Sequence, residues 1–229
     1  ASYMAALPEA FRNAVIMDLE TSGIGKGHAI IEAAFRHVST GKTTQYYLAP
    51  AIETKRGLRY LETIEQVEQL AQPWTRERMK PGGQFSYLRE FYQKGGLAQV
   101  KAKGIAEISG KTYLSPEMFF RRMSEEIKGA SSVLAANVAF ENRQLGQIFK
   151  HMPIDLQMQI KRQFLSYPVQ QKFLYHTLDI HEAYSKAKAI GTPESWVDLT
   201  KAYFRAPAGL VGARVGDIQD IGRATLSQA

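Results

Sequence analysis

No cysteine occurs anywhere in the chain, so disulfides and thiolate zinc sites are excluded. The five histidines, His28, His37, His151, His176 and His181, show no paired ligand spacing of the His-Glu-x-x-His kind. Any metal must therefore sit on oxygen ligands. No segment approaches the roughly eighteen consecutive apolar residues of a membrane span, and the first residues lack a basic-then-apolar leader pattern. A cytoplasmic location is the expectation that follows. Internal repeats, coiled-coil heptads and low-complexity tracts are also missing from the sequence.

What is present suits a globular domain. The 229 residues, 45% of them hydrophobic, can bury a sizeable core as one domain with room for an inserted subdomain. Lys and Arg outnumber Asp and Glu by 29 to 22, for a formal net charge of +7. That balance favours a polyanionic partner over an acidic one.

Periodicity divides the chain into regions. Strands are expected at Ala14 to Met17, His28 to Val38 and Thr43 to Leu48, punctuated by Gly25, Gly27 and Gly41, as a β-meander. Helical spacing with many charges then begins, as in Leu61, Ile64, Val67 and Leu70, and residues 54–100 read as an inserted helical subdomain broken at Pro73 and Pro81. Ser115-Pro116-Glu117 is a helix start with Ser115 as N-cap and Pro at the first helical position, and Gly129 ends that helix. A short buried strand at Ser132 to Ala136 precedes a helix at Phe140 to Phe149. A strand at Leu174 to Leu178 and helices at Ile180 to Lys188, Trp196 to Phe204 and Asp217 to Leu226 complete a mixed α/β sheet with flanking helices.

The most informative segment is Val15-Ile16-Met17-Asp18-Leu19-Glu20-Thr21-Ser22-Gly23. An Asp-x-Glu triplet arises by composition about once in a chain of this length. Its weight comes from position, because an apolar strand ends in two acids and a Thr-Ser-Gly turn follows. Residues two apart on a strand leave the same face, so one cation can bridge Asp18 and Glu20. Further acids follow downstream. Glu141 opens a helix just past the strand that ends near Ala136, and Asp217 and Asp220 lie on the last helix.

The ordered set resembles the DEDD (DnaQ-like) 3′-to-5′ exonuclease family, of RNase H-like architecture. Asp18-Leu19-Glu20-Thr21-Ser22-Gly23 is similar to its first motif, Asn137-Val138-Ala139-Phe140-Glu141 to its second, and the stretch from Val215 to Thr225 to its third. Lys103-Gly104-Ile105 and the helix at Pro116 also sit where that family has a Gly-Ile turn and a following helix. The resemblance implies an enzyme that hydrolyses phosphodiester bonds at single-stranded DNA or RNA ends. Asp18, Glu20, Glu141 and Asp220 would hold two Mg²⁺ or Mn²⁺ ions about 4 Å apart. It also implies that Thr21, Ser22 and Gly23 meet the terminal nucleotide, with Ile24 as a wedge against the last base and Asn137 and Phe140 lining the same pocket. Each of the last two has a plainer role open to it, Phe140 in the core and Asn137 as a helix cap.

Two departures stand out. Glu141 occupies a position where the family has Asp, which lengthens the arm by one methylene. At the general-base position, five residues before Asp220, stands Val215, which cannot accept a proton. Asp217 remains an alternative to Asp220 as the third-motif acid, and both have a plainer role open to them as helix N-terminal acids that complement the dipole. A module of this fold that binds nucleic acid or a partner with weakened turnover is the competing reading. Aromatic and basic residues alternate in the insertion, as in Trp74-Thr75-Arg76-Glu77-Arg78 and Tyr87 to Lys94. They suit either a single-strand track or a solvated amphipathic helix.

Overall fold

The computed structural model describes residues 13–37, 39–130, 132–135, 138–162 and 177–179. Those residues form nine strands and seven helices. A meander opens the chain: β1 (Ala14–Thr21), β2 (Ile30–His37) and β3 (Thr43–Leu48). A hairpin of β4 (Ala51–Thr54) and β5 (Gly57–Tyr60) follows, then α1 (Ile64–Leu70), α2 (Pro73–Arg78), α3 (Tyr87–Gln93) and α4 (Gly96–Lys103). Next come β6 (Ile105–Ile108), β7 (Lys111–Leu114) and α5 (Pro116–Ile127). Then follow β8 (Ser132–Ala135), α6 (Val138–Phe149), α7 (Ile154–Arg162) and β9 (Thr177–Asp179).

Seven strands share one sheet in the order β6-β7-β3-β2-β1-β8-β9, with β4 and β5 forming a separate pair. β2 runs antiparallel to both β1 and β3, whereas β8 is parallel to β1 and β9 is parallel to β8. The five strands β3-β2-β1-β8-β9 form a mixed sheet with helices packed against it. β7 adds to the edge of that sheet parallel to β3, and β6 adds antiparallel to β7.

β1 is longer than its apolar run suggests. The ladder with β2 continues past Met17, pairing Asp18 with Ala34, Glu20 with Glu32 and Thr21 with Ile30, so both acids lie inside the sheet. The expectation that the strand stops at Met17 is corrected for that reason: a partner strand supplies the hydrogen bonds that local polarity argues against. Val15, Met17 and Leu19 point to one face, where they meet Ala33 and Phe35 of β2, Phe119, Phe120, Met123 and Ile127 of α5, and Leu145, Ile148 and Phe149 of α6. Leu156 and Ile160 of α7 close that core.

α5 begins as its sequence dictates. Ser115 Oγ accepts from Met118 N at 3.1 Å, and Pro116 fills the first turn, where no intrahelical N–H partner exists. The segment 54–100 differs from the expectation of an all-helical insertion. It opens with the second strand of a hairpin, Gly57–Tyr60, and its helices lead directly into β6 and β7 on the sheet. Short alternating runs such as Gly57-Leu58-Arg59-Tyr60 carry too few residues to separate strand from helix by periodicity. Gly104 ends α4 with φ of 76°, a left-handed conformation that favours glycine, and turns the chain into β6.

Candidate active site

Alternation along β1 sends Ile16, Asp18 and Glu20 to the face opposite the α5–α7 core. Asp18 and Glu20 are each half-buried there. Directly across the ladder from Glu20 stands Glu32 of β2, buried at 7% exposure. Like charges facing one another across a ladder are unfavourable, and Glu32 is met by two hydrogen-bond donors. Gln45 Nε2 donates to its Oε2 at 3.1 Å, and the Tyr87 hydroxyl donates to its Oε1. Burial, with the Glu32 carboxylate beside it, pushes the Tyr87 hydroxyl far above its ordinary pKa and keeps it a donor. Glu32 was not singled out from sequence. The signal available was an isolated acid within the apolar run Ile30-Ile31-Glu32-Ala33-Ala34-Phe35.

The chain leaves β1 in a tight loop. Thr21 Oγ1 donates to Gly23 O at 2.7 Å. Ser22 is fully buried; its Oγ accepts from Ala29 N at 2.9 Å and shares a 3.1 Å hydrogen bond with His28 Nδ1. The Ser22 backbone is bonded as well, from its N–H to Ala29 O and from Gln72 N to its carbonyl. Thr21 and Ser22 thus hold the loop through hydrogen bonds inside it. A Cβ at Gly23 would run into the His28 ring, so any larger residue there requires that ring to move. Burial lowers the His28 pKa, favouring the neutral ring.

Two elements fix the tip of this loop. From the inserted segment, Gln72 Oε1 accepts from Ile24 N at 3.2 Å. From α6, Arg143 Nη2 donates to Ile24 O at 2.8 Å, and Gln144 Nε2 donates to Gly25 O at 3.1 Å. Gln147 Oε1 accepts from Gly27 N at 3.0 Å. The Ile24 side chain itself is 58% exposed on this pinned backbone. The Arg143 guanidinium also lies over the Phe140 ring, 5.8 Å from its centroid, while Phe140 packs against the main core.

The same bonds draw α6 to the end of β1. β8, which precedes α6, runs parallel to β1, so both strands present their carboxyl ends on the same side. Glu141, in the first turn of α6, is 2% exposed. Asp18, Glu20 and Glu141 offer hard carboxylate oxygens, the donor chemistry that suits Mg²⁺ or Mn²⁺. Among the described residues, however, no group of three or more His, Cys, Asp or Glu side chains is gathered closely enough to hold a metal ion. Asn137, Val215, Asp217 and Asp220, with His176 and His181, lie outside the described residues. Sequence reasoning missed Gln72, Arg143, Gln144 and Gln147, since polar residues on or just before a helix carry no mark of a partner 48 to 120 residues away.

No family model matches the sequence, and no curated protein is similar to it at a significant level. Among solved structures, the chain is similar to one described as "ExoI/SSB-Ct complex", at 15% sequence identity and a TM-score of 0.47. The match covers 94% of this chain and 40% of that one, so the chain spans well under half of the structure it resembles. No helix among the described residues is long and apolar enough to cross a membrane.

Proposed function

We propose that the chain is a metal-dependent 3′-to-5′ exonuclease that hydrolyses phosphodiester bonds at single-stranded DNA or RNA ends. The observation that supports it most is the bonding of α6, which carries the buried Glu141, through Arg143, Gln144 and Gln147 to the loop that follows Asp18 and Glu20. Those bonds join the two elements that carry three carboxylates of the ordered motif set, β1 with its loop and α6.

In this reading Asp18, Glu20, Glu141 and Asp220 are the residues that would hold two Mg²⁺ or Mn²⁺ ions. The chemistry such ions supply when bound is polarisation of the scissile phosphate and a lowered pKa of bound water. The chain's own residues do the rest. Ile24 projects from a backbone held on both sides and separates the last base from its neighbour. Phe140 and Asn137 line the pocket for that base, and Thr21, Ser22 and Gly23 keep the loop in the shape the pocket needs. Val215 takes no proton, so the attacking water loses its proton without the positioned base that ordinarily contributes about 10²- to 10⁴-fold. A slow enzyme with an alkaline optimum follows.

The test is a 3′-shortening assay on a 5′-labelled oligonucleotide with Mn²⁺ or Mg²⁺. Asp18→Ala is expected to lower the rate by more than the ~100-fold that loss of a merely supporting partner costs. Val215→His is expected to raise the rate at neutral pH. Shortening that survives Asp18→Ala unchanged, or no cation-dependent shortening at all, overturns the reading. Val215 is also the observation that favours a second reading, a nucleic-acid-binding module with weakened turnover; binding without shortening in either protein supports it.

A further inference from the structure

Four large apolar side chains are substantially exposed among the described residues: Ile24, Trp74, Ile154 and Met158. Ile24 and Trp74 come from segments about fifty residues apart, yet one residue ties them together. Gln72 donates from its backbone N–H to Ser22 O at 2.9 Å and accepts from Ile24 N at 3.2 Å, and Trp74 follows two positions later in the first turn of α2. Trp74 is 52% exposed although its helix is firmly seated. Pro73 fixes the first helical position, Thr75 is buried beside it, and both Thr75 N and Arg76 N donate to Gln72 O.

The surroundings are cationic. Lys26 and Arg143 flank Ile24, and Arg76 follows Trp74; all three are exposed. Arg143 and Arg76 bond to neutral carbonyls, Arg143 to that of Ile24 and Arg76 to those of Glu68 and Ala71, so their charges stay available. The acid beside Arg76, Glu77, is paired with Lys80 at 2.7 Å. An exposed indole and an exposed aliphatic group on two segments joined through Gln72, with exposed basic residues on or bonded to those segments, suit a flexible polyanion with flat, stackable faces.

We infer that Trp74, together with Ile24, is a base-stacking platform for single-stranded nucleic acid, so that the inserted segment forms part of the track leading to the candidate active site. The inference rests on the reading of this chain as one that engages single strands, but it does not require that the strand be cut. An aromatic platform of this kind accepts any base, because every base has a π-face, and the phosphates between bases meet Lys26, Arg76 and Arg143.

The chain has two tryptophans, Trp74 and Trp196. In a Trp196→Phe background the indole of Trp74 is therefore the only one, and its fluorescence can be followed without divalent cation while oligothymidylate or oligouridylate of about twelve nucleotides is titrated in. Saturable quenching by either oligonucleotide is expected. In the otherwise unaltered chain, Trp74→Ala is expected to weaken binding by about 5- to 150-fold, and Trp74→Phe by clearly less. No quenching by either oligonucleotide, or an affinity unchanged in Trp74→Ala, overturns the inference. The result separates it from the exonuclease reading: a protein that quenches but never shortens DNA or RNA keeps the platform and loses the enzyme. One that shortens its substrate with Trp74 unquenched does the reverse.

Discussion

On the face of the sheet covered by α5, α6 and α7, Val15, Met17, Leu19 and Phe35 meet other apolar side chains, with Phe119 and Phe120 fully buried among them. On the side covered by the inserted segment, the contacts are aromatic and polar together. Tyr87 packs edge-on against Tyr47 with ring centroids 5.0 Å apart and bonds through its hydroxyl to Glu32. Phe91 stacks on Tyr113 at 4.5 Å, and Lys111 lies over the rings of both Tyr47 and Tyr87. The first face depends on volume, which substitution by another hydrophobe of similar size largely preserves. The second depends on direction, because a phenol that loses its acceptor, or a carboxylate that loses its donor, is left unsatisfied.

Removing volume from the apolar face is the most damaging change. Phe119→Ala is expected to lower global stability by about 3–5 kcal/mol, because the fully buried ring leaves a cavity between α5 and β2. Denaturant unfolding checks it, and a loss under ~1 kcal/mol would mean that this face is far looser than its burial suggests.

Removing one oxygen from the other face costs less and acts locally. Tyr87→Phe keeps the ring packing but takes a donor from Glu32, a change expected to cost about 1–3 kcal/mol. Hydrogen exchange should quicken in α3 and at the β2–β3 ladder before it changes in α5. Uniform quickening across both faces would erase the distinction between them.

Acidification gives the smallest effect, and it distinguishes the candidate site from the core. Burial holds His28 below its ordinary value of 6.5, so the folded state prefers the neutral ring. Its contribution is full above that value and is lost as pH falls from 6.5 through the lower folded value, because the unfolded chain takes up the proton first. Glu126 acts in a lower window. Burial pushes its carboxyl up, but the hydrogen bonds from His37 and Tyr46 outweigh that and hold it below its ordinary 4.5, so its contribution is lost only as pH falls from 4.5 downward. Thermal melts from about pH 7 to about pH 5 should decline in the wild type and flatten in His28→Gln; equal slopes would remove His28 from this account.

Much of the candidate site was legible because it is local. Asp18 and Glu20 share a face by strand alternation alone, Glu141 falls in the first turn of a helix that follows a strand, and Ser115-Pro116 announces α5 by its cap. The extent of β1 was not legible, since its last residues are strand only because β2 pairs with them. Nor was the hairpin at the start of the insertion, whose strands are four residues each. The links from Gln72 to Ile24 and from Tyr87 to Glu32 join residues 48 and 55 positions apart, beyond any periodic signal.

Composition and short-range pattern determined by themselves that no thiolate can bind a metal here, that a meander precedes alternating helices and strands, and that two acids leave one face of the first strand. Those properties depend on residue type and on the repeat of the local backbone, which neighbours in sequence fix. Only the tertiary structure decided that Glu32 faces Glu20 under a tyrosine hydroxyl, that Ile24 is pinned from α6 and from the insertion at once, and that Trp74 stands exposed two positions from the residue that holds Ile24. Those depend on which distant segments come to share a surface, and the free energy that selects them is spread over the whole core.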